Sequence, residues 1–181
     1  MKVITFLRPV LTLLLITALV ALALAGVNSI TKDRIAAIQA EKTQKAIEQV
    51  LPGGYDRTIT EFTDETGLVQ NIYASATGYA VEVTPVGFDN TITMMVGVDL
   101  EGKVLGISVI SHSETKGLGE VAAAQSAKGQ AFRDQFVGQT GGLAVTKDGG
   151  TVEAITGATI TSRAVTAGVN AAVACVLNNF A

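Results

Sequence analysis

Residues 153–162 read Glu153-Ala154-Ile155-Thr156-Gly157-Ala158-Thr159-Ile160-Thr161-Ser162. A short apolar run, Val152 to Ile155, leads into small hydroxyl residues and one glycine, and an apolar-periodic stretch follows. That order predicts a strand, a loop of small side chains, and then the N-terminus of a helix. The first N–H groups of a helix have no partner within it, and the helix dipole favours negative charge there. Such an end accepts a phosphate. Gly157 permits a positive φ or a close backbone approach, Ala158 adds little bulk, and Thr159 offers a hydroxyl just ahead of the helix. Two readings follow from the residues. One is a phosphate site with an exposed threonine; the other is a plain strand-to-helix turn with Thr161 or Ser162 as N-cap.

Downstream, Thr161 to Leu177 is predicted to be a helix. Val165, Val169, Val173 and Val176, with Ala172 beside them, recur at helical spacing and form a core stripe. Arg163 falls in the first turn, where it opposes the helix dipole, and a nearby phosphate would offset that. Upstream, Leu143-Ala144-Val145 reads as a short strand and Lys147-Asp148-Gly149-Gly150 as a turn. Gln125 to Phe136 reads as a helix with Ala131, Phe132 and Phe136 facing the domain, and Gly138 to Gly142 as a loop.

Earlier in the chain the pattern has period two. Thr58 to Phe62, Val69 to Tyr73, Tyr79 to Val83, Thr91 to Val98 and Val104 to Ile110 are predicted strands. The last two form an antiparallel hairpin around Asp99 to Lys103. Ile92, Met94, Val96 and Val98 share one face, and Met94 and Met95 read as packing. Strands followed by helices give an α+β domain, an antiparallel sheet packed with helices.

The sheet is followed by Ser111-His112-Ser113-Glu114-Thr115-Lys116-Gly117-Leu118-Gly119. Two glycines around a leucine predict a loop that bends sharply and approaches something closely. A plain polar loop is the alternative. His112 near Ser113 and Glu114 invites a hydrolase reading, but a catalytic triad is assembled in space, not by adjacency.

Val10 to Thr31 contains no charged residue, with Lys2 and Arg8 before it and Lys32, Asp33 and Arg34 after it. A helix of that length crosses a hydrocarbon core of about 30 Å. The rival is a cleaved signal peptide, since Ala23-Leu24-Ala25 resembles a cleavage site. The run is long for a signal core, which favours a retained single-pass anchor. Basic residues nearly balance across it, so they determine orientation weakly. Asn28 to Leu51 carries Ile35, Ile38, Ala46, Ile47 and Val50 at amphipathic spacing, and Pro52-Gly53-Gly54 ends it. It reads as a stalk lifting the domain off the bilayer or as a helix packed on the domain. The expected division is an N-terminal tip and anchor at 1–31, a stalk at 32–54 and the domain at 55–181.

The 181 residues carry a net charge of -3 and no tryptophan. No basic patch is interleaved with aromatics, which argues against a nucleic-acid partner. Cys175 is the sole cysteine, so neither an intramolecular disulfide nor a cysteine-built zinc or iron–sulfur site can form within the chain. His112 is the sole histidine, which argues against a histidine-built metal site. No P-loop, dinucleotide fingerprint, heptad array or repeat is visible.

Thr156-Gly157-Ala158-Thr159-Ile160-Thr161 resembles the flavinylation motif of the FMN-binding domain family, in its Rnf G-type branch. There the last residue of a Ser/Thr-Gly-Ala-Thr tetrad carries FMN through a phosphoester, which implies Thr159. The family usually has Asp three residues before the tetrad; Glu153 stands there in this chain. Ser111 to Gly119 resembles the branch's second signature, with Lys116 where proline is usual. The resemblance implies that flavin contacts come from Thr156, Gly157, Ala158, Thr159 and Thr161, and from Ser113, Glu114, Thr115, Gly117, Leu118 and Gly119. A lysine commonly stands near Lys147, which the resemblance offers as a phosphate partner; by itself it reads as a solvated turn lysine.

The resemblance further implies a flavin transferase that moves the FMN group from FAD onto Thr159. It also implies an extracytoplasmic domain in a multisubunit membrane complex linking reduced ferredoxin and NAD to ion translocation. The chain would relay electrons between other subunits and would be no complete enzyme alone. The competing reading is a membrane-anchored interaction module without a cofactor. It accounts for the anchor and leaves both glycine-containing motifs unexplained.

Overall fold

A computed structural model describes residues 2–180, with the side chains of residue 7 and of residues 9–180. The charges of Lys2 and Arg8, which enter the balance around the anchor, lie outside the described side chains. Two compact units result, Met1–Glu41 and Lys42–Ala181.

The first unit belongs to helix α1 (Lys2–Val50). Leu11, Leu13, Leu14, Leu15, Leu19, Leu22 and Leu24 are all exposed, so this stretch of the helix is apolar on every side. That is the pattern of a membrane span. The helix is long and apolar enough to cross a bilayer. Thr17 and Thr31 turn their hydroxyls inward, donating to Leu13 O at 3.0 Å and Val27 O at 2.8 Å. No hydroxyl proton of theirs is left facing lipid.

The second unit holds a five-stranded antiparallel meander in the order β1 (Arg57–Ile59), β2 (Val69–Ala74), β3 (Gly78–Val83), β4 (Thr93–Asp99), β5 (Val104–Ser111). Val81 pairs with Ile72 on one side and Val96 on the other, and Val96 pairs with Ile107. Successive side chains point to opposite faces, and here both faces are covered. Val81, Val83, Met94, Val96 and Val98 pack beneath helix α3 (Thr159–Phe180). Val165, Val169, Ala172, Val173 and Val176 of α3 supply the opposing stripe. α3 also satisfies the length and composition of a membrane span, but most of it is buried in the domain, as in a core helix.

The other face, Ala80, Met95 and Ile110, is covered by Ala46, Ile47, Val50 and Leu51, the end of α1 and the residue after it. Gly97 makes this possible: a Cβ there would strike the carbonyl of Val50. Its partner across the sheet is Gly106, so the helix end sits over a gap in the pleat.

Three local expectations are corrected. Leu143-Ala144-Val145 and Val152 to Ile155 form no strands; Val145 and Val152 make one isolated parallel bridge. Their backbone groups are spent on Thr146 N–H to Val152 O and Val152 N–H to Ala144 O, and neither segment reaches the sheet. The helix predicted over Gln125 to Phe136 is the shorter α2 (Ala127–Asp134), capped by Ser126, whose hydroxyl accepts from Gly129 N–H. Phe132 and Phe136 face the core, but Ala131 is exposed and Arg133 is buried instead, donating to the carbonyls of Ala122 and Ala124. Finally, α3 begins at Thr159 rather than Thr161, so Thr161 and Ser162 lie inside its first turn and neither is the N-cap.

Candidate functional site

Three segments meet at the N-terminus of α3. The first is the turn that joins β3 to β4, closed by Gly87 N–H to Asn90 O and Ile92 N–H to Pro85 O, both at 2.8 Å. Phe88 stands at its tip with 65% of its surface exposed. The second is the loop after β5. Its His112 Nδ1 accepts from the Glu114 N–H, so the imidazole is used to shape the loop and forms no triad with Ser113 or Glu114.

The third segment is the quoted stretch. Ala158 N–H donates to Ile155 O at 2.9 Å, closing a turn with Gly157 at φ +78°, a backbone state that favours glycine. Ser162 locks this turn from within the helix: its hydroxyl donates to Ala158 O at 2.9 Å and accepts from Ile155 N–H at 3.0 Å. Thr159 is the first helical residue, half-buried, and its hydroxyl accepts from Lys147 Nζ at 3.1 Å.

Lys147 lies in a 3₁₀ turn, Thr146–Asp148, whose last residue is tied to α3. Arg163 donates to both Asp148 carboxylate oxygens, at 2.7 Å from Nε and 2.6 Å from Nη2. The Arg163 hydrogen bonds hold the Asp148 carboxyl below the usual carboxylate range, and Asp148 raises the guanidinium in turn. The unfavourable placement of Arg163 near the helix N-terminus is thus offset by a neighbouring carboxylate, where the sequence pointed to a phosphate.

Between these segments lies a cleft of about 330 Å³ lined by Phe88, Glu114, Thr115, Leu118, Gly119, Lys147, Gly157, Ala158, Thr159, Ile160 and Thr161. Its volume falls at the lower end of ligand-binding pockets. Phe88, Leu118 and Ile160 give it apolar walls. The ammonium of Lys147, the Thr159 hydroxyl and the N-terminal N–H groups of α3 give it one polar, anion-attracting corner. A flat apolar ring ending in a phosphate suits that donor set, so the residues present fit FMN.

Nine of the twelve residues expected at the site are brought together here. Thr156 and Gly117 instead line a neighbouring cavity of about 570 Å³ with Glu153 and Lys128. A Cβ on Gly157 would come within 3.0 Å of Leu118 Cδ2, so the Leu118 side chain lies against the loop between the two cavities. Ser113 is exposed and lines neither. Two further wall residues were not among those expected: Phe88, which lies outside both motifs, and Ile160, which lies within the first. The available signal for Phe88 is an isolated aromatic inside Pro85-Val86-Gly87-Phe88-Asp89-Asn90, a turn composition in which nothing local buries a ring.

The sequence matches the FMN-binding domain over residues 87–174 and the RnfG N-terminal region over residues 1–50. It is similar to the G subunit of the ion-translocating oxidoreductase complex of Methanosarcina acetivorans, 33% identical over 92% of this chain and 92% of that one. The protein of the same name in Haemophilus influenzae is 34% identical over 86% of this chain and 82% of its own length. The G subunit of the Na(+)-translocating ferredoxin:NAD(+) oxidoreductase complex of Acetobacterium woodii is 30% identical over 88% and 86%. With an apolar N-terminal helix, a sheet-and-helix domain matching the FMN-binding domain, and these relatives along most of its length, the chain belongs to the G-type family of proteins from Rnf-type ion-translocating oxidoreductase complexes.

Proposed function

We propose that this chain carries FMN covalently, through a phosphoester to Thr159 Oγ1, and relays electrons between other subunits of an ion-translocating membrane complex. Family membership supports the coarser statement, a flavin-binding subunit of such an oxidoreductase. The observation that carries the finer one is the Thr159 hydroxyl. It is half-buried at the mouth of an apolar cleft, at the first residue of α3, 3.1 Å from Lys147 Nζ. Thr161 and Ser162 also bear hydroxyls, but both are fully buried and donate to Glu114 and to Ala158 O. Of these, only Thr159 opens onto solvent; the fourth candidate hydroxyl, Thr156, is exposed as well but lines the neighbouring cavity with Glu153 and not the cleft.

In attachment, Thr159 gives up its hydroxyl proton and gains the FMN phosphoryl group; FAD is the donor and AMP leaves. Bound FMN supplies the redox chemistry. Lys147 and the first N–H groups of α3 hold the phosphate's negative charge. Phe88, Leu118 and Ile160 exclude water and receive the apolar faces of the ring system. Covalent attachment suits a domain outside the cytoplasm, where a dissociated flavin would be lost by dilution, and we assign the domain to that side of the membrane. The partners are the flavin transferase during maturation and the other membrane and redox subunits afterwards.

The test is the intact mass of protein made together with its transferase. The expected mass is that of the chain plus one FMN less one water. A folded, full-length protein without that gain refutes covalent carriage.

A further inference from the structure

The cleft contains one buried carboxylate whose purpose the flavin reading leaves open. Glu114 is 6% exposed. Its Oε1 accepts from Phe88 N–H at 2.9 Å and, at a longer 3.4 Å, from Asp89 N–H. Its Oε2 accepts from the Thr161 hydroxyl. Every partner is a donor, which suits an acceptor-only carboxylate. Among the described residues no Lys or Arg forms an ion pair with it.

Two glycines make the room. A Cβ on Gly87 would strike Glu114 Oε1, and one on Gly119 would strike Glu114 Oε2 and come within 2.6 Å of Thr161 Oγ1. The socket therefore admits the carboxylate and little else. Both oxygens are spent on protein donors, one toward the Phe88 turn and one toward α3. Taking a carboxylate out of water is costly without such donors. The return is mechanical: a turn whose tip is an exposed ring gains a fixed backbone. Among the described residues no other ring stacks on Phe88, which stands in solvent on one side and forms the cleft wall on the other.

We infer that Glu114 is a positioning residue: its carboxylate ties the Phe88 turn to the first turn of α3 and so fixes the Phe88 ring as one wall of the cleft. The inference takes its functional meaning from the FMN reading above, in which that ring shields the bound flavin.

The test uses the full-length chain in detergent, in flavin-loaded form and in a form made without the transferase. In the loaded protein, quenching of flavin fluorescence by iodide reports how open the cleft is. Glu114→Ala and Phe88→Ala should each raise the quenching constant severalfold, and the double variant should exceed neither. Glu114→Gln should stay close to the unmutated protein, because its carbonyl can accept from Phe88 and its amide can donate to a reversed Thr161 hydroxyl. In the flavin-free form, hydrogen exchange at the Phe88 amide should quicken roughly tenfold or more in Glu114→Ala, as expected for a lost bond to a charged acceptor.

Additive effects of Glu114→Ala and Phe88→Ala, or unchanged exchange at Phe88 in a folded Glu114→Ala, would overturn the inference. If Glu114→Ala does not fold, Thr161→Val removes the α3 arm alone. It should move exchange and quenching in the same direction, and no movement overturns the brace. A flavin-free unmutated protein would instead defeat the FMN reading, leaving the exchange measurement to decide on Glu114.

Discussion

Replacing Thr159 with alanine removes one hydroxyl from the mouth of the cleft. On the folded side the loss is one hydrogen bond, from Lys147 Nζ at 3.1 Å, and that partner is exposed. Such a bond contributes about 0.5–1.5 kcal/mol at most, and solvent around the ammonium places it low in that range. Alanine at a helical position recovers up to about 0.5 kcal/mol over threonine. The net change should stay under about 1 kcal/mol, a few degrees in Tm for a domain of this size. Covalent flavin, by contrast, should vanish completely. Thr161→Ala should show the opposite pattern. That hydroxyl is buried and donates to the Glu114 carboxylate, so its loss costs about 1.5–3 kcal/mol while the flavin stays attached. The assay is flavin fluorescence of the denatured band in a gel, with peptide mass mapping and a thermal melt alongside. Fluorescence persisting in Thr159→Ala, or flavin mapped to Thr161 or Ser162, refutes the assignment. A collapse in Tm for Thr159→Ala would show that the flavin was lost through misfolding, which equally contradicts the reasoning.

Gly97→Val should destabilise the domain by about 1–3 kcal/mol or more, because the new side chain meets backbone at Val50 that cannot step aside; the urea midpoint checks this. Burial, helped by the charge of Asp64, pushes the Cys175 thiol from its ordinary 9.0 to about 11. The unfolded thiol ionises first, so this contribution is intact below pH 9 and is lost as pH rises toward about 11. Urea midpoints at about pH 8 and about pH 10.5 should therefore fall more in the unmutated protein than in Cys175→Ala, and equal falls refute it. A phosphatase fused after Pro52 should be active and a fluorescent protein there dark, as an extracytoplasmic domain requires. The reverse result inverts the topology.

The sheet was legible because its alternation is strong and both faces are apolar: Ile92, Met94, Val96 and Val98 could be assigned to one face from spacing alone. The α3 stripe was legible for the same reason at helical period. The start of α3 was not. Thr161 and Ser162 are good N-cap types, but tertiary partners claim them, Glu114 from one side and the 155–158 turn from the other. The segments at 143–145 and 152–155 have strand composition and are too short to do more than bridge each other. At the site, the residues carried by the two motifs were readable in one dimension. Phe88 was not, because it reaches the cleft through a hairpin turn far upstream of Thr159, held by a hydrogen bond to a residue 26 positions later. Ser113, Thr156 and Gly117 illustrate the converse: neighbours in a motif are directed to different sides of a loop.

The seating of Ile47, Val50 and Leu51 on the sheet bears on where this protein can be cut. Each of these side chains contributes roughly 1.5–3 kcal/mol by leaving water, so together they approach the whole net stability of an ordinary domain. Pro52-Gly53-Gly54 looks like a natural boundary, yet a soluble fragment starting at Tyr55 would leave Ala80, Met95 and Ile110 bare. A fragment starting at Lys42 keeps them covered and still discards the lipid-facing stretch. The piece that serves as an anchor at one end is, at the other, a lid that the purified domain has to bring with it.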